Sequence, residues 1–116
     1  MKKSLQFTVI SLIFVLASAC ATIQFGTDFN PKDFEAWVKR GETTQAQVKG
    51  KMGEPTSTGA VVEMDGTYYT RWTYYYGKGK IHKLKDANLK VLEIRFNSHK
   101  QVVSFNWSAP NETISN

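Results

Sequence analysis

The sequence predicts an α+β fold in which a two-helix hairpin packs on one face of a three- to four-stranded antiparallel sheet. Three observations carry this expectation. Helix start and stop signals crowd into residues 30 to 55: Asn30-Pro31 and Thr44 open two short segments, and Gly41 and Gly53-Glu54-Pro55 close them. From Ala60 onward the composition turns to β-branched and aromatic residues, with apolar positions two apart. The chain has 116 residues, which leaves room for a single domain with a modest core once an N-terminal leader is set aside.

That leader occupies residues 1–19. Lys2 and Lys3 form a short cationic region, Leu5 to Leu16 an apolar stretch, and Ala17, Ser18 and Ala19 the small residues a signal peptidase needs. The apolar stretch falls short of the ~20 residues that span a bilayer, so a cleaved signal peptide is expected rather than a permanent membrane helix. Cys20 is the only cysteine. An exported thiol with no disulfide partner is an oxidation liability. Leu16-Ala17-Ser18-Ala19-Cys20 resembles the lipobox of bacterial lipoproteins, with Ala17 in the outermost place where leucine is commoner. The resemblance implies that Cys20 becomes the first residue of the mature chain and carries diacylglyceryl and N-acyl groups, each buried CH2 adding ~0.8 kcal/mol of membrane affinity. Ala21 stands where an aspartate would signal inner-membrane retention, so the implied destination is the outer membrane, lipid-anchored and facing the periplasm. Losing Lys2 and Lys3 leaves thirteen Lys and Arg against ten acids, a formal +3, too small an excess to argue nucleic-acid binding.

Residues 20–29 are expected to be the lipidated N-terminus and a tether, since Ala21 to Phe29 has no clear periodicity and contains Gly26, Thr27 and Asp28. The domain proper is expected over residues 30–109. Asn30 reads as a helix N-cap with Pro31 at the first helical position, and Asp33 and Glu35 sit in the first turn, where the helix dipole favours negative charge. Phe34, Trp37 and Val38 make one apolar stripe, Lys39 and Arg40 fill the last turn, and Gly41 stops the helix. Thr44 and Gln47 have capping-box spacing ahead of Val48 and Met52, which share a face. Gly53 and Pro55 end that second helix near Met52.

Ala60 to Met64 and Tyr68 to Tyr76 flank Asp65-Gly66, a strong hairpin-turn signal. Trp72, Tyr74 and Tyr76 share one face of the second strand, and Arg71, Thr73 and Tyr75 the other. Leu92, Ile94 and Phe96 alternate with Glu93 and Arg95. Val103, Phe105 and Trp107 alternate with Ser104 and Asn106, and Asn97 to Lys100 turn between the two runs. Gly77 to Asn88, with four lysines and two glycines, reads as a loop or frayed edge. Residues 110–116 form a polar, flexible tail. The expected core has Phe34, Trp37, Val48 and Met52 covering Trp72, Tyr74, Leu92, Ile94, Phe96, Val103 and Phe105.

The run Gly41, Thr44, Val48, Gly53, Pro55, then Trp72 and Tyr74, then Leu92, Phe96 and Asn97 resembles the BamE or SmpA/OmlA family of small outer-membrane lipoproteins across nearly the whole mature domain. The gap from Gly41 to Thr44 is one residue longer than the family form. The resemblance implies two helices on one face of an antiparallel meander, usually of three strands, with Ala60 to Met64 adding a leading fourth. Each matching residue also has a structural reading as a cap, a helix stop or part of a core face.

No catalytic constellation is expected: His82 and His99 lie in predicted loops beside lysines without a carboxylate or cysteine at ligand spacing, and no phosphate loop, nucleophile elbow or paired acids appear. No metal and no cofactor are expected either. The one candidate surface comprises Lys78, Lys80, His82, Lys83 and Lys85 with Tyr75, where clustered lysines beside Ile81 and Leu84 suit an anionic lipid headgroup or an acidic partner. Tyr68 and Tyr69 would extend it if Trp72 and Tyr74 face inward. The resemblance implies a non-catalytic accessory protein of envelope assembly with an envelope protein partner. The alternatives are a periplasmic binding or inhibitor module for peptidoglycan, anionic lipid or an enzyme, and a lipoprotein of a secretion or conjugation apparatus.

Overall fold

The computed structural model describes residues 21–80 and 88–110. Strand β1 (Thr22–Phe25) comes first, then helices α1 (Pro31–Trp37) and α2 (Gln45–Met52). Four strands follow: β2 (Ser57–Val62), β3 (Tyr68–Lys80), β4 (Asn88–Phe96) and β5 (Val102–Ser108). All pairings are antiparallel, giving a five-stranded sheet, one strand more than the sequence expectation.

The extra strand is β1, which lies in the segment read as a tether. Thr22 to Phe25 pair with Lys80 to Gly77 on the edge of β3 that β2 also uses, so β1 and β2 stand end to end along one long strand. All four β1 residues are exposed, so no buried side carries an alternating signal. Paired with β1 on one edge and, at Gly77 and Lys78, with β4 on the other, Gly77 to Lys80 belong to β3 rather than a loop, and Asn88 begins β4.

The helix signals act locally, as written. Asn30 Oδ1 accepts from the backbone N–H groups of Lys32 and Asp33. Thr44 and Gln47 form the reciprocal capping box, the Gln47 N–H donating to Thr44 Oγ1 at 3.2 Å and the Thr44 N–H to Gln47 Oε1 at 3.0 Å. Gly53, at φ +83°, closes α2. Helix α1 ends sooner than expected, at Trp37, so Lys39 and Arg40 fall outside its last turn. The chain there turns through Thr43, which accepts the Lys39 N–H on its hydroxyl at 2.8 Å and donates its own N–H to the Lys39 carbonyl at 2.9 Å. The Gly41 N–H then donates to the Val102 carbonyl, joining this turn to the sheet rather than extending the helix.

The core forms between the helices and the face of the sheet that carries the even-numbered residues of β3 and β4. Phe34 and Val48 are wholly buried against Tyr74, Leu92, Ile94, Phe96 and Val102, with Trp37, Met52, Trp72, Phe105 and Trp107 packed around them. Phe34 meets Phe105 edge-on at 5.4 Å between ring centres, and Trp72 meets Phe96 at 4.9 Å. One expected core residue is wrong. A β-bulge shifts the β4–β5 register between Arg95 and Phe96, so Phe96 pairs with Val102 and Val103 is skipped. Val102 is wholly buried and Val103 only partly so.

Candidate functional site

Residues directly opposite one another in an antiparallel pair put their side chains on the same face of the sheet. This rule divides the candidate surface. Lys78 and Lys80 stand opposite Gln24 and Thr22, on the face that carries Tyr74 and Tyr76, and both lysines are exposed. Tyr75 is on the other face, opposite Val91, and is 40% exposed. The structure thus does not bring Tyr75 together with Lys78 and Lys80. His82, Lys83 and Lys85, like Cys20, lie outside the described residues. Trp72 and Tyr74 do face the core. Tyr68, however, is ten residues along β3 from Lys78, roughly 33 Å at 3.3 Å per residue. The tyrosines therefore do not extend the lysine surface.

Lys90 holds the end of the sheet to the connection leading into α1. Its ammonium donates to Asp28 Oδ1 at 2.9 Å and to the Phe29 carbonyl at 3.0 Å, and lies 5.7 Å from the centre of the Tyr76 ring. Phe29 in turn sits edge-on to Tyr74. Residues 26 to 30 are therefore pinned to the sheet at both ends.

Between the ends of β1 and β2, Tyr74 to Tyr76 have no strand partner on that edge of β3 among the described residues. Thr56 Oγ1 accepts the Tyr75 N–H there at 3.0 Å. A cleft of about 330 Å³ opens beside this gap, lined by Gly26, Phe29, Met52, Gly53, Glu54 and Tyr74 among others. Its titratable side chains are Glu54, Tyr74 and Tyr75. Glu54 is ion-paired with Lys49 at 2.6 Å. The Tyr74 hydroxyl donates to the Gly53 carbonyl at 2.9 Å, and burial, with the charge of Glu54 adding to it, pushes its pKa up to about 12. His99 lies exposed in the turn before β5, its N–H donating to Asn97 Oδ1. Among the described residues no three His, Cys, Asp or Glu side chains come together as a metal site would require. No helix among them is long and apolar enough to cross a membrane.

The sequence reading missed the outer face of the sheet, away from the helices. Its two halves differ. Around Arg71 and Arg95, which stand opposite each other, Arg95 pairs with Glu63 at 3.1 Å and approaches Glu93 at 3.9 Å. At the other end, Phe25, Gly77 and Leu89 form one row across three strands, with Ile23 and Gly79 in the row beyond and Tyr75 and Val91 in the row before. Gly77 has no side chain, and the Phe25 ring and Leu89 methyl close over it into the place a Cβ would take. Even so, Ile23, Phe25 and Leu89 remain 40%, 48% and 50% exposed. Ile23 and Phe25, two apart, and Leu89 and Val91, two apart, were the available signal, but each run is too short to stand out. No family model, no curated protein and no solved structure matches this chain.

Proposed function

We propose that this protein is a non-catalytic outer-membrane lipoprotein, anchored by acyl groups on Cys20 and facing the periplasm, that binds and steadies an envelope assembly of the kind that inserts β-barrel proteins. The observation that carries the reading is the course of the chain: it passes from Cys20 into β1 within two residues, and β1 is hydrogen-bonded along β3. A lipid on Cys20 would hold the whole sheet close to a bilayer with almost no slack. The two short helices against one face of an antiparallel sheet agree with a BamE-like layout. Two of the three titratable side chains of the cleft already have partners in the fold, Glu54 with Lys49 and Tyr74 with Gly53, which favours a binding role over a chemical one. A metal or cofactor has no part in this reading.

Two measurements test it. Mass spectrometry of the protein from membranes should find Cys20 at the N-terminus with its acyl groups, and an unmodified thiol there would remove the anchor. Affinity capture from detergent-solubilised envelopes should recover a barrel-assembly complex, and a deletion strain should show a leakier outer membrane. Recovery of peptidoglycan or a single soluble hydrolase with an intact permeability barrier would replace the accessory role by the binding or inhibitor module. Recovery of a secretion or conjugation apparatus would assign the protein there.

A further inference from the structure

We infer that the apolar end of the outer sheet face, built from Ile23, Phe25 and Leu89, lies in the interface of the bilayer that carries the anchor, so that the domain docks on the membrane through a β-sheet surface. The inference rests on the anchoring at Cys20 proposed above and adds an orientation to it.

The first argument is reach. Ile23 is the third residue after Cys20 and Phe25 the fifth, spans of at most roughly 11 Å and 18 Å for a fully extended chain. Because β1 is paired with Gly77 to Lys80, these residues cannot swing away independently of the sheet. Whatever surface they present is held within those distances of the anchored sulfur.

The second argument is the chemistry of that surface. Phe25 and Leu89 meet over Gly77 and form a raised apolar ridge, with Ile23 beside it nearer the anchor. The same face further from Cys20 carries Arg71, Arg95, Glu63 and Glu93. On this face the exposed Ile23, Phe25 and Leu89 stand at the anchored end and charge at the far end; the more exposed Val62, Met64 and Tyr68 belong to the distant β2–β3 hairpin tip, with Val62 and Tyr68 on the opposite face. On the opposite face at the anchored end stand Lys78 and Lys80, exposed, with Thr22, Gln24 and Asn88. An apolar side backed by a cationic one is the distribution of elements that lie in the plane of an interface, with long lysine stems lifting the ammonium groups to the phosphates.

The test uses the processed full-length chain, purified from membranes and reconstituted into vesicles of phosphatidylethanolamine and phosphatidylglycerol. Phe25→Cys and Ile23→Cys are labelled separately with an environment-sensitive thiol dye, with Tyr68→Cys, at the far end of β3, as the reference. An acylated Cys20 sulfur does not react, so the dye reports one position at a time. Emission from positions 23 and 25 should shift to the blue and be quenched by lipids bearing a spin label on the acyl chain, while position 68 stays water-like. Ile23→Cys guards against Phe25→Cys loosening the cover over Gly77. Water-like emission at both 23 and 25 from protein that floats with the vesicles would overturn the docking and leave the anchor standing. Dye on Cys20 itself, with protein in the supernatant, would overturn the anchor and the docking together.

Discussion

The hydroxyl of Tyr74, in the middle of β3, donates to the carbonyl oxygen of Gly53, the residue that closes α2, at 2.9 Å. The bond joins the end of the second helix to the central strand and satisfies a carbonyl that the helix leaves without an internal partner. Tyr74→Phe keeps the ring against Phe29 and removes only this bond, so it should lower stability by ~1 kcal/mol in denaturant unfolding. The alkaline response has a definite sign. The folded-state pKa is raised from 10.0 to about 12, so the folded chain holds the phenol proton more tightly than the unfolded chain. This contribution is complete below pH 10 and is lost as pH rises through about 12. Wild type should lose more stability across that window than Tyr74→Phe. Equal losses would mean that Tyr74 ionises as freely folded as unfolded.

The bulge at Arg95 and Phe96 makes opposite predictions for two adjacent valines. Val102 is wholly buried, and Val102→Ala should cost ~2 kcal/mol through lost burial and the cavity left behind. Val103 is skipped in the pairing with β4, and Val103→Ala should cost less than ~1 kcal/mol. Urea midpoints for the two variants decide between the bulged register and simple alternation, under which Val103 would be the sensitive one.

Gly26 ends β1 at φ +74°, and a Cβ there would run into the carbonyl oxygen of Tyr75. That oxygen belongs to the β3 backbone and cannot step aside as a side chain can. Gly26→Ala therefore carries both a left-handed-backbone cost of ~1 kcal/mol and a collision. Amide exchange followed by mass spectrometry should show faster exchange across the β1–β3 pairing, with β4 and β5 protected as in wild type. Unchanged protection of β1 would show that its pairing does not depend on this close approach.

At the start of α2, Thr44→Ala removes the acceptor for the Gln47 N–H and should cost ~1 kcal/mol. Thr44→Ser restores a hydroxyl at the same place and should recover most of it. A full loss with serine would shift the role of Thr44 from its oxygen to its methyl group.

The elements legible from the residues are those whose signals act over a few positions. Asn30 and Thr44 cap helices because their side chains reach backbone N–H groups two or three residues on. Asp65 accepts the Thr67 N–H, and Gly66 takes φ +86°, in the turn that the Asp-Gly pair announces. Tyr74, Leu92, Ile94 and Phe96 line the core because alternation survives wherever one face of a strand is covered. The candidate surface was less legible. Lys78 and Lys80 stood out by composition, whereas the Phe25–Leu89 ridge needs three strands from distant parts of the chain to exist at all.

Residue order alone settled where the helices begin, where the Asp65-Gly66 hairpin turns and which face of β3 and β4 goes inward, since each depends on neighbours within a turn or two of backbone. Tertiary structure decided that Thr22–Phe25 is a strand, that Val102 replaces Val103 in the core, and that Phe25 covers Gly77. The reason is that backbone N–H and C=O groups are the same in every residue except proline. Which strand edge a segment joins, and in what register, is therefore settled by the space and the unpaired edge that the rest of the fold leaves for it.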